Sequence, residues 1–315
     1  MNSKFLVCHQ SENQTLIAIL DENEDLNEIF VSREAALNLD ETYSGKIISY
    51  HAKLKGYFVE TEKGINAFLP SSKKFSTGEK VYIKIKKEAR REKQATAELI
   101  DAISVNPSFI ETIKQKFPFE QKELPSLEFL INEAMEEKIS FLNGAHITIQ
   151  KTEALWSIDI DSGNSEASFE EINKKAVTLI QKQVKLKNMS GMILIDFAGT
   201  KKKEEQENLL KEIKKAFHND NRTKIYGFSA LRLLELKRKS ERSDIYDLFL
   251  TKTGLKHPLY VSYLIERAVF SSKSGNIKLT IHPSQEQYLS TTIKNQVTIK
   301  FNLNIPQDYF ELKEN

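Results

Sequence analysis

A chain of 315 residues with 40% hydrophobic content is long enough for two or three modules with real cores. Its 46 basic and 44 acidic residues leave a formal net charge of +2, so any basic surface is local and global charge selects no partner. A single cysteine, Cys8, excludes an internal disulfide and a structural zinc site needing two thiolates, and no window approaches the roughly eighteen apolar residues of a membrane span, so a cytoplasmic protein is predicted.

Residues 4 to 32 carry three strand-like runs, Phe5 to Cys8, Leu16 to Leu20 and Ile29 to Val31, separated by polar turns, which predicts an antiparallel meander. From Gly45 to about Leu99 short strands follow at close spacing: Lys46 to Tyr50, Tyr57 to Glu60, Ile65 to Leu69 and Val81 to Lys86. Glycines between them suit a small closed barrel, an OB-fold candidate. Two helical patterns lie between Asn106 and Glu137, with a proline-containing loop from Lys116 to Ser126. The chain then turns α/β: strands 146–150 and 154–160, helix 169–186, strand 192–197, helix 203–218 and strand 223–228. A further helix is predicted over Leu231 to Leu236, ending in the basic cluster Lys237-Arg238-Lys239. The last unit reads as helix 260–270, strand 277–281, helix 283–289 and strand 296–301. The fold class is therefore an α+β / α/β multidomain protein.

Chemistry is concentrated where Leu155 to Asp161 and Met192 to Phe197 each end an apolar strand in a carboxylate. In a strand, helix, strand unit both strand ends point the same way, so Asp159 or Asp161 and Asp196 converge on one crevice. Converging carboxylates need a cation, and a pair of them suits Mg²⁺ better than Zn²⁺. Asp161 begins the turn sequence Asp161-Ser162-Gly163 and serves equally well as a turn cap. Asp196 follows four apolar residues, where a buried unpaired charge is costly, so a metal or basic partner is expected for it. Arg222, Lys224 and Arg238 follow as candidate phosphate holders, although isolated basic residues are more often plain surface. None of the histidines shows ligand spacing.

The barrel segment adds Tyr57, Phe58 and Phe68, followed by Lys80, Lys84, Lys86, Lys87, Arg90, Arg91 and Lys93. Aromatics that stack bases beside cations that neutralise phosphates are how OB-folds take single strands. The competing reading makes the aromatics barrel core and the charges a solvated edge; strand alternation puts one of Tyr57 and Phe58 outside either way.

The stretch Leu142 to Gly163, with Thr152-Glu153-Ala154-Leu155 and Ile158-Asp159-Ile160-Asp161-Ser162-Gly163, resembles a signature of the ribonuclease E/G family. Gly191 to Phe197, Arg222-Thr223-Lys224 and Phe228 to Lys239 are similar to later family segments, and Gly45-Lys46-Ile47, Ala67 to Pro70 and Lys87 to Lys93 resemble its OB-fold. The resemblance implies residues 1–42 with 105–140 as an RNase H-like part, 43–104 as an OB-fold RNA-binding barrel, 141–250 as a DNase I-like catalytic subdomain and 251–315 as a small C-terminal α/β domain. It implies that Asp159 and Asp196 bind Mg²⁺, with Mn²⁺ a possible substitute, and that Asp161, where the family has Asn, and Lys224 belong to the catalytic face. Phe58, Phe68 and Lys93, with Lys87 and Arg90 beside them, would grip RNA. The segment 106–126 replaces a longer family region that senses the RNA 5′ end, Arg232 replaces a family Gly, and the zinc-sharing Cys-x-x-Cys is absent. No zinc-linked dimer is therefore expected, and the oligomeric state stays open.

The function so implied is a Mg²⁺-dependent endoribonuclease that cleaves single-stranded RNA with a metal-activated water. The alternative is a catalytically inactive RNA-binding protein derived from the family, and a weaker third is a protein-binding scaffold.

Overall fold

The computed structural model describes residues 5–90, 93–102, 109–116, 120–121, 126–272 and 276–314. Arg91 and most of the predicted loop between Lys116 and Ser126 lie outside them. The chain divides into two compact units, Met1–Leu130 with Glu241–Asn315, and Ile131–Ser240.

The first unit opens with the predicted meander, β1 (Phe5–Gln10), β2 (Gln14–Leu20) and β3 (Leu26–Arg33), all antiparallel. A closed five-stranded barrel follows, made of β4 (Thr42–His51), β5 (Gly56–Thr61), β6 (Asn66–Pro70), β7 (Lys80–Lys87) and β8 (Ala95–Ile100) in the order β4-β5-β6-β8-β7. Its alternating inward residues, among them Ile47, Tyr57, Val59, Leu69, Ile83 and Ile85, fill one apolar core. The fifth strand, β8, was not among the predicted runs. Its Ala95-Thr96-Ala97-Glu98 carries small inward residues, so the apolar signal is weak even though Ala95 and Ala97 are buried.

Next come α1 (Phe109–Lys116), whose Ile113 packs on the meander core, and β9 (Glu120–Gln121), which pairs parallel with β1. Helix α2 (Glu128–Met135) leads into the second unit.

The second unit is a six-stranded sheet with two helices. Its elements are β10 (Lys138–Phe141), β11 (Ala145–Lys151), β12 (Leu155–Asp161), α3 (Phe169–Leu186), β13 (Gly191–Asp196), α4 (Lys203–Ala216), β14 (Thr223–Phe228) and β15 (Leu234–Arg238). The strand order is β10-β11-β12-β13-β15-β14, and β12 and β13 are parallel, as a strand, helix, strand crossover requires. Alternation sorts the sheet into two faces. Ile147, Ile149, Trp156, Ile158, Ile160, Ile193, Ile195, Leu234 and Leu236 are buried. Helix α3 contributes the matching stripe Ile172, Ala176, Val177, Ile180 and Val184, at helical spacing. Each of its isoleucines and valines contributes about 1.5–3 kcal/mol on full burial. Ser168 caps α3, its hydroxyl accepting from the Glu171 amide at 3.2 Å, with Glu170 and Glu171 favourably placed in the first turn.

The predicted helix over Leu231 to Leu236 is instead a turn running into a strand. Ser229 and Leu233 close the turn, with Arg232 at φ +65°, and from Leu234 burial alternates as a strand demands. The run of leucines signalled burial, but its period of two became visible only with the charges at Glu235 and Lys237 pointing out.

The chain returns to the first unit through α5 (Ile245–Phe249), α6 (Pro258–Ser271), β16 (Ile277–Ile281), a 3-10 helix (Pro283–Tyr288), α7 (Thr291–Gln296), β17 (Val297–Phe301) and β18 (Phe310–Glu314). Here the predicted helix 283–289 is the 3-10 turn, and α7 and β18 were not foreseen. Strands β17, β16 and β18 form a sheet around Leu279 and Ile281. Among the described residues no helix is long and apolar enough to cross a membrane.

Candidate active site

The register of the two parallel strands sets the site. Asp159 of β12 stands directly beside Asp196 of β13, both side chains exposed on the sheet face opposite the buried one. Neighbouring strands lie about 4.8 Å apart, so the two carboxylates repel at close range. Partial burial, and then the charges of Asp196 and Asp161, push the Asp159 carboxyl above its usual pKa, while His146 pulls it back. Asp196, expected to be buried among its apolar neighbours, is exposed. Alternation turns Asp196 away from buried Ile193 and Ile195, so its carboxylate is exposed and faces the like charge of Asp159.

Asp161 lies two residues along the same face. Its Oδ1 accepts from the Gly163 amide at 2.8 Å, the turn-capping arrangement, and its Oδ2 is 3.7 Å from His146 Nε2 on β11. His146, which the sequence reading left without a role, is in register with Asp161 across the strands. Cross-strand register is not visible in a histidine's sequence neighbours. The two ends of the Leu142 to Gly163 stretch meet here. A side chain at Gly163, where φ is +49°, would put its Cβ 2.2 Å from the Gly144 carbonyl oxygen.

The turn after Asp196 is held from α3. Buried Asn173 donates from Nδ2 to the Ala198 carbonyl at 2.7 Å, Thr200 donates back to the Phe197 carbonyl at 3.1 Å, and Gly199 leaves room for the Phe169 ring. These contacts fix where the strand carrying Asp196 ends.

Of the three candidate phosphate holders, two are engaged elsewhere. Arg238 is 6% exposed, on the buried face, with Nε donating to Asp220 at 2.7 Å and Nη1 to the Met189 carbonyl at 2.9 Å. Arg222 donates to the Lys239 carbonyl and to Asn188. Lys224 remains on the open face, its ammonium 4.8 Å from the Tyr226 ring centroid. Among the described residues no group of three or more His, Cys, Asp or Glu is gathered to hold a metal ion. A cation here would therefore be held by Asp159 and Asp196 with the remaining positions open, a donor set that suits Mg²⁺ and not the closed N/S shell of structural zinc.

In the barrel, Tyr57 points inward and Phe58 outward. Phe58 is in register with Phe68, their centroids 5.7 Å apart edge to face, and His51 stands 5.8 Å from Phe58, making an outer aromatic cluster. Gly56 makes the space for it, since a Cβ there would meet the Phe68 ring at 2.5 Å. Lys87 and Lys93 are exposed. Arg90 pairs instead with buried Asp244 at 2.8 Å and with Asp247 at 3.6 Å, anchoring the connection between β7 and β8 to the start of α5.

Comparison with known proteins meets this geometry. The model of the Ribonuclease E/G family matches residues 70–241, just over half of the chain and all of the sheet that carries the carboxylates. Ribonuclease G of Escherichia coli is 32% identical over 130 residues, 39% of this chain and 27% of its own length. Ribonuclease E of Synechocystis sp. is 35% identical over 126 residues, covering 38% and 19%, and that of Nostoc sp. 34% over 137 residues, covering 40% and 20%. The match thus spans about a quarter or less of each relative. The family model, however, extends across both paired strands and the turn motif between Gly144 and Gly163, and this chain belongs to the Ribonuclease E/G family.

Proposed function

We propose that the chain is a Mg²⁺-dependent endoribonuclease that cleaves single-stranded RNA. The observation that carries this is the in-register pair Asp159 and Asp196 on an open sheet face. Two exposed like charges held side by side by backbone pairing are an unfavourable arrangement that a divalent cation makes favourable. A cation bound there would supply an activated water and neutralise charge developing on the phosphate. Asp159 and Asp196 hold it. Lys224, on the same face, offers its ammonium to a flanking phosphate, and the Gly163 and His146 contacts hold Asp161 beside the pair. The outer cluster Phe58, Phe68 and His51, with Lys87 and Lys93, supports binding of unpaired bases and their backbone.

A second reading is favoured by one observation. Asp161 adds a third negative charge near the pair; an inactive RNA-binding relative would show that feature too. Incubating purified chain with unstructured A/U-rich RNA separates them. Cleavage that needs Mg²⁺ and disappears in Asp196→Asn supports the enzyme, binding without cleavage selects the relative, and cleavage undiminished in Asp196→Asn rules the proposed chemistry out.

A further inference from the structure

We propose that the open face of β12, β13, β15 and β14 is a track for single-stranded RNA, with Tyr226, Lys224 and Lys237 forming a binding subsite set apart from the Asp159 and Asp196 pair. This rests on the reading of the chain as an RNA-cleaving protein and adds Tyr226 and Lys237 to the Lys224 which that reading uses.

Register lays the subsite out as one row. Leu155 stands opposite Met192, Met192 opposite Lys237, and Lys237 opposite Lys224, across four adjacent strands. Tyr226 is the extra residue of a bulge between Ile225 and Gly227, 56% exposed, and its ring comes beside the Lys224 side chain through that bulge; Met192 is 49% exposed. The row ends in an exposed aromatic with an ammonium over its ring, 4.8 Å from the centroid. Like charges directly opposite each other on paired strands destabilise a sheet. Lys224 and Lys237 nonetheless stand so, and among the described residues neither forms an ion pair. A bound polyanion relieves that repulsion.

The other end of the same face is acidic. From Met192 to Asp196 is four residues along β13, about 13 Å at strand spacing. Glu235 occupies the row between, beside Leu194. Without a divalent cation the acidic end repels phosphate, so on this face binding comes from the basic and aromatic end. With a cation, an extended strand held on Lys224 and Lys237 reaches the carboxylate pair within a few nucleotides. The aromatic selects for unpaired RNA, because stacking needs a free base face that an A-form duplex does not offer.

The test is RNA binding to the full chain in EDTA, read by fluorescence anisotropy with a labelled unstructured A/U-rich oligonucleotide over a series of KCl concentrations. Each phosphate contact on a single strand contributes about 0.7 to the slope of log affinity against log salt. Lys224→Gln and Lys237→Gln are each expected to lower that slope by about 0.7, and the double variant by about 1.4. Tyr226→Ala is expected to weaken binding about tenfold with the slope unchanged and to leave affinity for a duplex of the same sequence alone. Lys214→Gln, on exposed α4, serves as the control. A double variant that keeps the wild-type slope overturns the subsite, whether or not Mg²⁺-dependent cleavage is intact, and the cleavage assay reports separately on the reading beneath it. A wild-type chain without RNA affinity overturns both. Loss of self-association in the double variant with an unchanged slope makes this face a protein interface and overturns the RNA track.

Discussion

Removing one charge of the carboxylate pair is expected to make the protein more stable and less useful at once. Asp159 and Asp196 sit side by side on adjacent strands, about 4.8 Å apart by sheet geometry. Two unit charges at that separation repel by about 1 kcal/mol in water and roughly 3–4 kcal/mol at an effective dielectric constant of 20. Both side chains are exposed, so the lower figure applies, trimmed further by salt. Asp196→Asn should therefore stabilise the Mg²⁺-free protein by a few tenths to about 1 kcal/mol, a rise in melting temperature on the order of 1–3 °C. The wild type should gain more from the cation, since ligand at about ten times its Kd adds roughly 1.4 kcal/mol to the folded state, and the variant should lose that gain. Differential scanning fluorimetry in EDTA and across a Mg²⁺ titration reads both effects. The reasoning fails if Asp196→Asn melts below wild type in EDTA and still shifts upward with Mg²⁺, because the pair would then be neither strained nor the binding site.

Three further outcomes follow from particular residues. Phe58→Ala should weaken single-stranded RNA binding by about 1–3 kcal/mol with no change in salt slope, since the lost contact is stacking; an unchanged Kd would remove the outer barrel face from the RNA surface. His257 caps α6, with Nδ1 accepting from the Leu259 amide at 3.2 Å, and burial and then Arg33 lower its pKa to about 4. The folded state thus binds fewer protons than the unfolded one between about pH 6.5 and pH 4, and stability falls as pH drops through that window. The loss is at most about 3 kcal/mol and about 1–2 after solvent screening. His257→Asn keeps a capping side chain and should flatten the decline in chemical denaturation series. Lys187 is fully buried, its Nζ donating to the Ala134 carbonyl at 2.6 Å and the Glu136 carbonyl at 2.8 Å, and burial lowers its pKa to about 8. Its contribution is present above the ordinary lysine range and declines as pH falls toward 8. Lys187→Met should abolish that dependence and cost about 1–3 kcal/mol in urea melts by leaving carbonyls unpaired; a variant as stable as wild type would mean water reaches them.

Local patterns with a strong period were legible in the chain. The meander, four barrel strands, α3 and β11 to β13 all carry apolar repeats that match one period and little else. Legibility failed where that signal thinned or misled. Small residues hid β8, and the leucines at Leu231 to Leu236 suggested a helix where a left-handed Arg232 forces a turn. Such a φ favours glycine, and Arg232 carries the cost of about 1 kcal/mol that a Cβ incurs there. The apolar neighbours of Asp196 likewise suggested burial that alternation denies.

The sequence by itself determined that two carboxylates end two strands of one crossover unit, that an aromatic and basic barrel precedes them, and, through the Leu142 to Gly163 stretch, the family. Register and facing were decided by tertiary structure alone. Pairing across β11 brought His146 to Asp161. Pairing of β15 with β13 and β14 put Lys237 and Lys224 in one row and turned Arg238 under the sheet toward Asp220. The physical reason is that a side chain's face is fixed by a period of two, while its neighbours across the sheet depend on strands far apart in the chain, so a residue's type is local information and its partner is not.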